Sequence, residues 1–153
     1  MITEDYVSFE TAKLLKEKGF KMWCYKSYGT AVYHKGVPIS FDEECDLKDE
    51  GLEDEIEYVE GGMLYDSGYD NRDKDEKAWA APTLWVAMKW LREVHNIHVV
   101  PKFDFYAGDY TGRIYDGRRE STAEKDDYIA IVGNDTYEKA AEAAIKYVLE
   151  NLI

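Results

Sequence analysis

From Pro82 to the C-terminus the apolar residues change their spacing twice, and that order restricts the fold more than composition does. In "APTLWVAMKWLREVHNIH" (residues 81–98), Leu84, Ala87, Met88, Leu91 and Val94 recur at steps of three and four. That is the period of one helix face, with Lys89, Arg92 and Glu93 roughly opposite. Pro82 suits the first turn of this helix, and His95-Asn96 marks its end. "IHVVPKFDFY" and "GRIYDG" then read as strands with a turn near "AGDYTG", and "DYIAIVG" reads as a third strand, apolar enough to be central. The chain closes on "YEKAAEAAIKYVLENL", where Tyr137, Ala141, Ala144, Ile145, Val148 and Leu152 keep a helical stripe. Asp135 and Glu138 form a capping-box pattern ahead of it. The order helix–strand–strand–strand–helix predicts an α+β fold, an antiparallel sheet with its helices packed on one face.

Two tryptophans sit awkwardly on the first of these helices. Trp85 and Trp90 are five residues apart, about 140° on a helical wheel, so they flank the apolar face on opposite sides. Trp90 is expected to be internal, one of the pair reaching the C-terminal helix. Trp85 lies beside Val86 and near Lys89 and Arg92, expected as cation–π neighbours, and is left needing something to cover it.

The N-terminal part predicts a helix over "FETAKLLKEK", with Ser8 as N-cap, Val7 and Ala12 as a hydrophobic staple and Gly19 as the stop. "KMWCYKS" and "TAVYH" come next as β-favouring runs, expected to form a hairpin around Tyr28-Gly29. Lys35-Gly36 begins a turn, and Pro38 restricts the stretch after it to an edge or a loop. "KLLKE" (13–17) and "KWLRE" (89–93) suggest a faint internal repeat, each helix leading into an aromatic-rich hairpin.

Charge divides the chain further. The net charge is −13. Residues 42–76 hold 16 Asp/Glu against Lys48, Arg72 and Lys74, which is −13; the other 118 residues hold 16 acids and 16 bases, which is zero. No period of 3.6 or 2 persists from Phe41 to Lys77, and glycines and polar runs punctuate it. We expect a long acidic excursion over 42–77, with at most a short strand at "GMLYD", inside a single domain of 1–153 that also comprises a helix plus hairpin over 1–40 and the α-β-β-β-α unit over 82–153. A segment so acidic repels polyanions, so direct nucleic-acid binding is not expected. No apolar run approaches membrane-spanning length, and "MITEDYVSF" lacks the basic and apolar regions of a signal peptide. The expected location is cytoplasmic, with Cys24 and Cys45 as ordinary thiols.

These segments carry two resemblances. "SFETAKLLKEKGF", "APTLWVAMKWLREVHNIH" and "TYEKAAEAAIKYVLENLI" together resemble a family of small uncharacterised proteins encoded by phages and prophages of gut anaerobes. That resemblance covers both ends of the chain and not its acidic middle, and it implies a genomic setting rather than a chemistry. The α-β-β-β-α order, with Ala140, Ala144, Val148, Leu149 and Leu152 in the last helix, is similar to a double-stranded RNA-binding domain. Such domains grip phosphates with lysines at the start of that helix. Here Tyr137 and Glu138 stand there, with Asp135 before them, and acids at a helix N-terminus repel a phosphate.

Few residues invite catalysis. His95 and His98 have a spacing a helix could turn into a metal pair, but the helix ends between them; a core or capping role for His95 is the expectation. "DSGYDNRDKDE" fails the calcium-loop pattern, with arginine and lysine out of place. No phosphate loop, nucleophile elbow or dinucleotide fingerprint occurs, so no catalytic residue, metal ligand or cofactor is nominated. Arg113, Arg118 and Arg119 make a basic cluster, read as neutralising the acidic segment. Tyr65, Tyr69, Tyr106 and Tyr110 at loop edges supply contact area of the sort used in interfaces.

The reading is therefore a small, non-catalytic interaction or accessory protein of a phage or prophage. It binds a protein partner or forms a homo-oligomer through Trp85, Val86, Lys89 and Arg92. An alternative is an acidic, nucleic-acid-mimicking inhibitor of a host defence protein, which requires the carboxylates of 42–76 to be ordered. An enzyme of unrecognised class would require a pocket holding His95 or His98 beside a carboxylate.

Overall fold

The computed structural model describes residues 4–119 and 127–153. In chain order they form α1 (Phe9–Glu17), β1 (Trp23–Cys24), β2 (Lys26–His34), β3 (Val37–Pro38), α2 (Phe41–Asp49), a short 3-10 turn (Glu53–Glu55), β4 (Ile56–Tyr65), β5 (Tyr69–Asp70) and β6 (Trp79–Ala81). Then come α3 (Leu84–His95), β7 (Ile97–Asp104), β8 (Asp109–Asp116), β9 (Ile129–Asn134) and α4 (Tyr137–Asn151). The fold is α+β, as expected. The chain divides into two compact units: the N-terminal twenty residues together with Ala81–Ile153, and Lys21–Ala80.

In the first unit, β7, β8 and β9 form an antiparallel sheet in that order. β8 is thus the central strand, and β9, which its apolar sequence marks as central, lies at an edge. β8 pairs with both of its neighbours in the chain, and that places it in the middle whatever its composition. Ile97 and Val99 of β7 and Ile114 of β8 are buried against the helices, and Val99 is paired with Ile114. α4 contributes Ala140, Ala141, Ala144, Ile145, Val148 and Leu149 to the core. Its alanines let the helix approach closely: a Cβ on Gly112 would lie 2.6 Å from the Ala140 carbonyl oxygen and 2.8 Å from the Ala144 Cβ. α4 is capped by Thr136, whose side chain accepts from Lys139 N–H, so the Asp135/Glu138 capping box does not form; Asp135 instead pairs with Lys139 at 2.9 Å.

α1 packs on α4, capped by Ser8 as expected and ending ahead of Gly19, which lies in the left-handed region (φ 89°). The tie between the two helices is specific. One carboxylate oxygen of Glu142 accepts from Ser8 N–H at 3.0 Å, from the Ser8 hydroxyl, and from the Thr11 hydroxyl at 2.5 Å. A side chain of α4 thereby satisfies donors at the otherwise unpaired end of α1. The repeat suggested by "KLLKE" and "KWLRE" has no matching arrangement: α1 belongs with α3 and α4 in one unit, and leads into a strand of two residues rather than a long hairpin.

The second unit corrects the sequence reading most. Residues 42–77 are not an irregular excursion. Ser40 and Glu43 make a complete capping box ahead of α2, and β4 runs for ten residues antiparallel to β2, from Ser27↔Tyr65 to His34↔Ile56. Only Glu44 of α2 is buried, so the helix shows no apolar stripe from which to recognise it. Tyr28-Gly29 is not a turn either. β2 continues through it, with a shift of register against β4 between Gly29 and Ala31, and Gly29 leaves room for the Tyr65 ring, which a Cβ would meet at 3.0 Å. The turn falls at Lys35-Gly36, both at positive φ, and Pro38 sits on the edge strand β3, as its missing N–H requires.

A candidate protein-interaction surface

α3 is set in place from its N-terminal end. Thr83, rather than a residue before Pro82, is its N-cap and accepts from Val86 N–H at 3.2 Å. The stretch preceding α1 is laced to it: Val7 N–H donates to the Pro82 carbonyl at 3.0 Å and Leu84 N–H to the Asp5 carbonyl at 2.9 Å. Asn96 ends the helix in the left-handed conformation (φ 53°), which asparagine tolerates. Leu84, Ala87, Met88, Trp90 and Leu91 are buried; Val94, expected among them, is 60% exposed. Trp90 is internal as expected, with its ring edge-on to Phe20 at 5.5 Å and to His95 at 4.6 Å.

Trp85 is 65% exposed. Lys89 and Arg92 lie at i+4 and i+7 from it, on the same outward stripe, and half-buried Val86 flanks them. The cation–π support expected for Trp85 is absent among the described residues. Lys89 lies 3.8 Å from Glu93 instead, and Arg92 forms no ion pair among the described residues. Trp85 forms one wall of a cavity of about 300 Å³. Leu84, Met88 and Tyr137 complete its apolar lining, while Glu4, Asp5 and Glu138 make an acidic rim.

From Tyr137 the aromatic surface continues. Its ring meets Tyr110 at 6.4 Å, Tyr110 meets Phe103 at 5.1 Å, and Phe103 meets Phe105 at 5.2 Å, all edge to face. Edge-to-face contact is the favoured geometry for such rings, so the row is mutually supported. It ends at the β7–β8 turn, where Phe105 is 88% exposed and Tyr106 is fully so. The turn is not slack: Asp104 Oδ1 accepts from Tyr106 N–H at 2.9 Å and Ala107 N–H at 3.2 Å, and Gly108 N–H donates to the Asp104 carbonyl at 2.8 Å. A side chain that closes its own turn in this way holds both aromatic residues outward.

Of the tyrosines singled out from sequence, Tyr106 and Tyr110 belong to this surface. Tyr65 and Tyr69 belong to the second unit, where their hydroxyls donate to the backbone carbonyls of Thr30, and of Asp73 and Asp75. Sequence reasoning missed Phe103, Phe105 and Tyr137. Phe103 reads as a buried strand residue until its position near the strand end is known, and Tyr137 reads as the first member of the α4 core stripe.

The remaining candidates do not converge on chemistry. His95 is half-buried against Trp90, and its Nε2 is buried without a hydrogen-bond partner among the described residues. Burial, and then the charge of Arg118, hold its pKa below the usual imidazole range, so its electrostatic neighbour is a cation and not a carboxylate. His98 sits in β7 opposite Tyr115. Among the described residues no group of three or more His, Cys, Asp or Glu is placed to hold a metal ion. The arginines of the cluster have partners within their own unit. Arg118 binds Asp116 at 2.8 Å and the Leu152 carbonyl at 3.1 Å, Arg119 lies 3.6 Å from Asp116, and Arg113 lies over the Tyr128 ring. Both cysteines are free; burial, and then Asp70, push the Cys24 thiol up to about 11. Among the described residues no helix is long and apolar enough to cross a membrane.

No family model, curated protein or solved structure matches the chain.

Proposed function

We propose that this is a small non-catalytic interaction protein whose first unit presents Trp85 and the aromatic row to another protein surface. The observation that carries the reading is the continuity of the row: exposed Trp85, Tyr137, Phe103 and Phe105, with Tyr110 between them, on a unit that already has a closed core. Contiguous apolar surface of this kind is unusual on a soluble monomer, and tryptophan and tyrosine dominate binding energy at interfaces. Val86, Lys89 and Arg92 extend the surface along α3. The resemblance of the α1, α3 and α4 segments to phage and prophage proteins supports a role as an accessory factor in a bacterial cytosol. The test is affinity capture from bacterial lysate with wild type, Trp85→Ala and Phe105→Ala. A protein recovered by wild type and lost with either variant supports the reading; identical recovery by all three removes it.

A second reading, mimicry of nucleic acid by the acidic segment against a host defence protein, is supported by a different observation. Asp42, Glu43, Asp46, Asp49 and Glu50 are exposed on or just after a capped helix, and Glu53, Asp54 and Glu55 come next in a 3-10 turn. Mimicry needs carboxylates held at fixed spacing, which a helix supplies and a coil does not. Displacement of DNA from a basic host DNA-binding protein, lost when Asp42, Asp46 and Asp49 are changed to Asn, would support it; no displacement by wild type would exclude it for that target.

A further inference from the structure

We infer that the Trp85 end of this surface is occupied by a second copy of the chain, related by a two-fold axis close to Trp85. The inference rests on the interaction reading above and names the occupant. Its basis is the order of charge along the surface. On the N-terminal side of Trp85 the cleft is lined by acids, and Lys139, the nearest cation beyond them, is already paired with Asp135. Asp5 is fixed at the start of α3 by its carbonyl bond to Leu84, Glu4 lies beside it, and Glu138 lines the same cavity. On the C-terminal side, along the outward stripe of α3, it presents cations. At a rise of 1.5 Å per residue, Lys89 lies about 6 Å and Arg92 about 10.5 Å beyond Trp85. An antiparallel two-fold pairing about Trp85 maps the acidic end of one copy onto the basic end of the other. It also brings each indole toward the cavity of about 300 Å³ that Leu84, Met88 and Tyr137 line.

A two-fold interface uses the same patch twice, so the patch must complement itself; this one does in both charge and apolarity. Other occupants meet a conflict. A uniformly basic partner would face Lys89 and Arg92, and a uniformly acidic one would face Glu4, Asp5 and Glu138. Within one chain Arg92 has no anion among the described residues, and Lys89 reaches Glu93 only at 3.8 Å. Opposing the pairing is the net charge of −13 on each copy. At physiological ionic strength screening over about 8 Å suppresses that long-range repulsion while leaving close pairs intact.

Sedimentation velocity of the full chain over a range of concentrations tests this directly. Wild type is expected to self-associate, and Trp85→Ala to be monomeric. Lys89→Glu with Arg92→Glu, and separately Asp5→Lys with Glu138→Lys, should each be monomeric; mixed together, these two charge variants should form a heterodimer. Circular dichroism of each variant confirms that it is folded, which the exposure of the substituted side chains favours. A wild type that stays monomeric at about 1 mM, the weak end of measurable association, overturns the second copy. So does a dimer that survives both Trp85→Ala and the charge reversals. The two readings fail separately. Monomeric wild type with Trp85-dependent capture from lysate removes the second copy and keeps the interaction surface. Monomeric wild type with capture indifferent to Trp85 and Phe105 removes both.

Discussion

His95 shows how packing and charge together constrain a single side chain on α3. Its ring fills space beside Trp90 and its Nε2 is dry, so protonation in the folded state is disfavoured first by burial and then by Arg118. In the unfolded chain the same imidazole titrates at about 6.5. As pH falls below that value the unfolded state takes up the proton before the folded state does. Stability contributed by neutral His95 is therefore complete above about pH 6.5 and is lost as pH falls toward the depressed folded value. His95→Phe keeps a ring against Trp90 and removes the proton. It should flatten the acid-side decline in urea midpoint below about pH 6.5 relative to wild type. An unchanged slope in the variant would show that another group carries the decline. Sequence alone placed His95 at the end of a helix near its apolar face; it could not show that β-strand and turn residues behind it supply a cation, because Arg118 is 23 positions further along the chain.

At the scale of elements, the sharpest constraint is the contact of α4 with β8. Any side chain on Gly112 would strike the Ala140 carbonyl, a backbone atom that cannot swing away. Gly112→Ala is expected to cost about 1–3 kcal/mol through overpacking. It should appear as a lowered denaturant midpoint with an unchanged slope, and wild-type stability in the variant would mean that α4 can lift from the sheet without loss. Elements of this kind were the legible ones. α1, α3 and α4 each bury a stripe against other elements, so their apolar residues recur at helical spacing, and the caps Ser8, Thr83 and Thr136 stand at or near the expected starts. α2 and β4 were illegible for the converse reason. α2 buries only Glu44, which accepts from Lys48 and Tyr58 at 2.6 Å each, so its inward contact is a polar one that no hydrophobic period records. β4 contains Gly61 and Gly62, which read as punctuation, yet Gly62 is there because Ala31 on the paired strand lies 3.0 Å from where its Cβ would be. The capping box at Ser40 and Glu43 was a local signal that the run of acids concealed. The candidate surface was half legible: Trp85, Val86, Lys89 and Arg92 share a helix, whereas the row through Phe103, Phe105, Tyr110 and Tyr137 crosses several elements and exists only after folding.

For the whole molecule, the order of charge and the order of chain do not coincide with the order of units. Lys21–Ala80 is one continuous stretch and carries the acidic segment, while the other unit takes its α1 from before that stretch and its sheet from after it. Glu142 joins the two ends of that unit, beside the Lys146–Glu10 pair and the bond from Lys18 to the Ile153 carbonyl. Glu142→Ala leaves three donors at the start of α1 without their acceptor, a loss expected to cost about 1–3 kcal/mol. Hydrogen exchange should then quicken in α1 while the amides of β2 and β4 keep their wild-type protection. Equal quickening throughout would mean that the two units unfold as one.

The same tie fixes a sequence of events during synthesis. Ser8 and Glu142 are 134 residues apart, so α1 leaves the ribosome long before the carboxylate that caps it has been translated. At ordinary elongation rates that interval is on the order of ten seconds. Throughout it the continuous acidic unit can close on its own strands, and α1, made before that unit, is secured only after it.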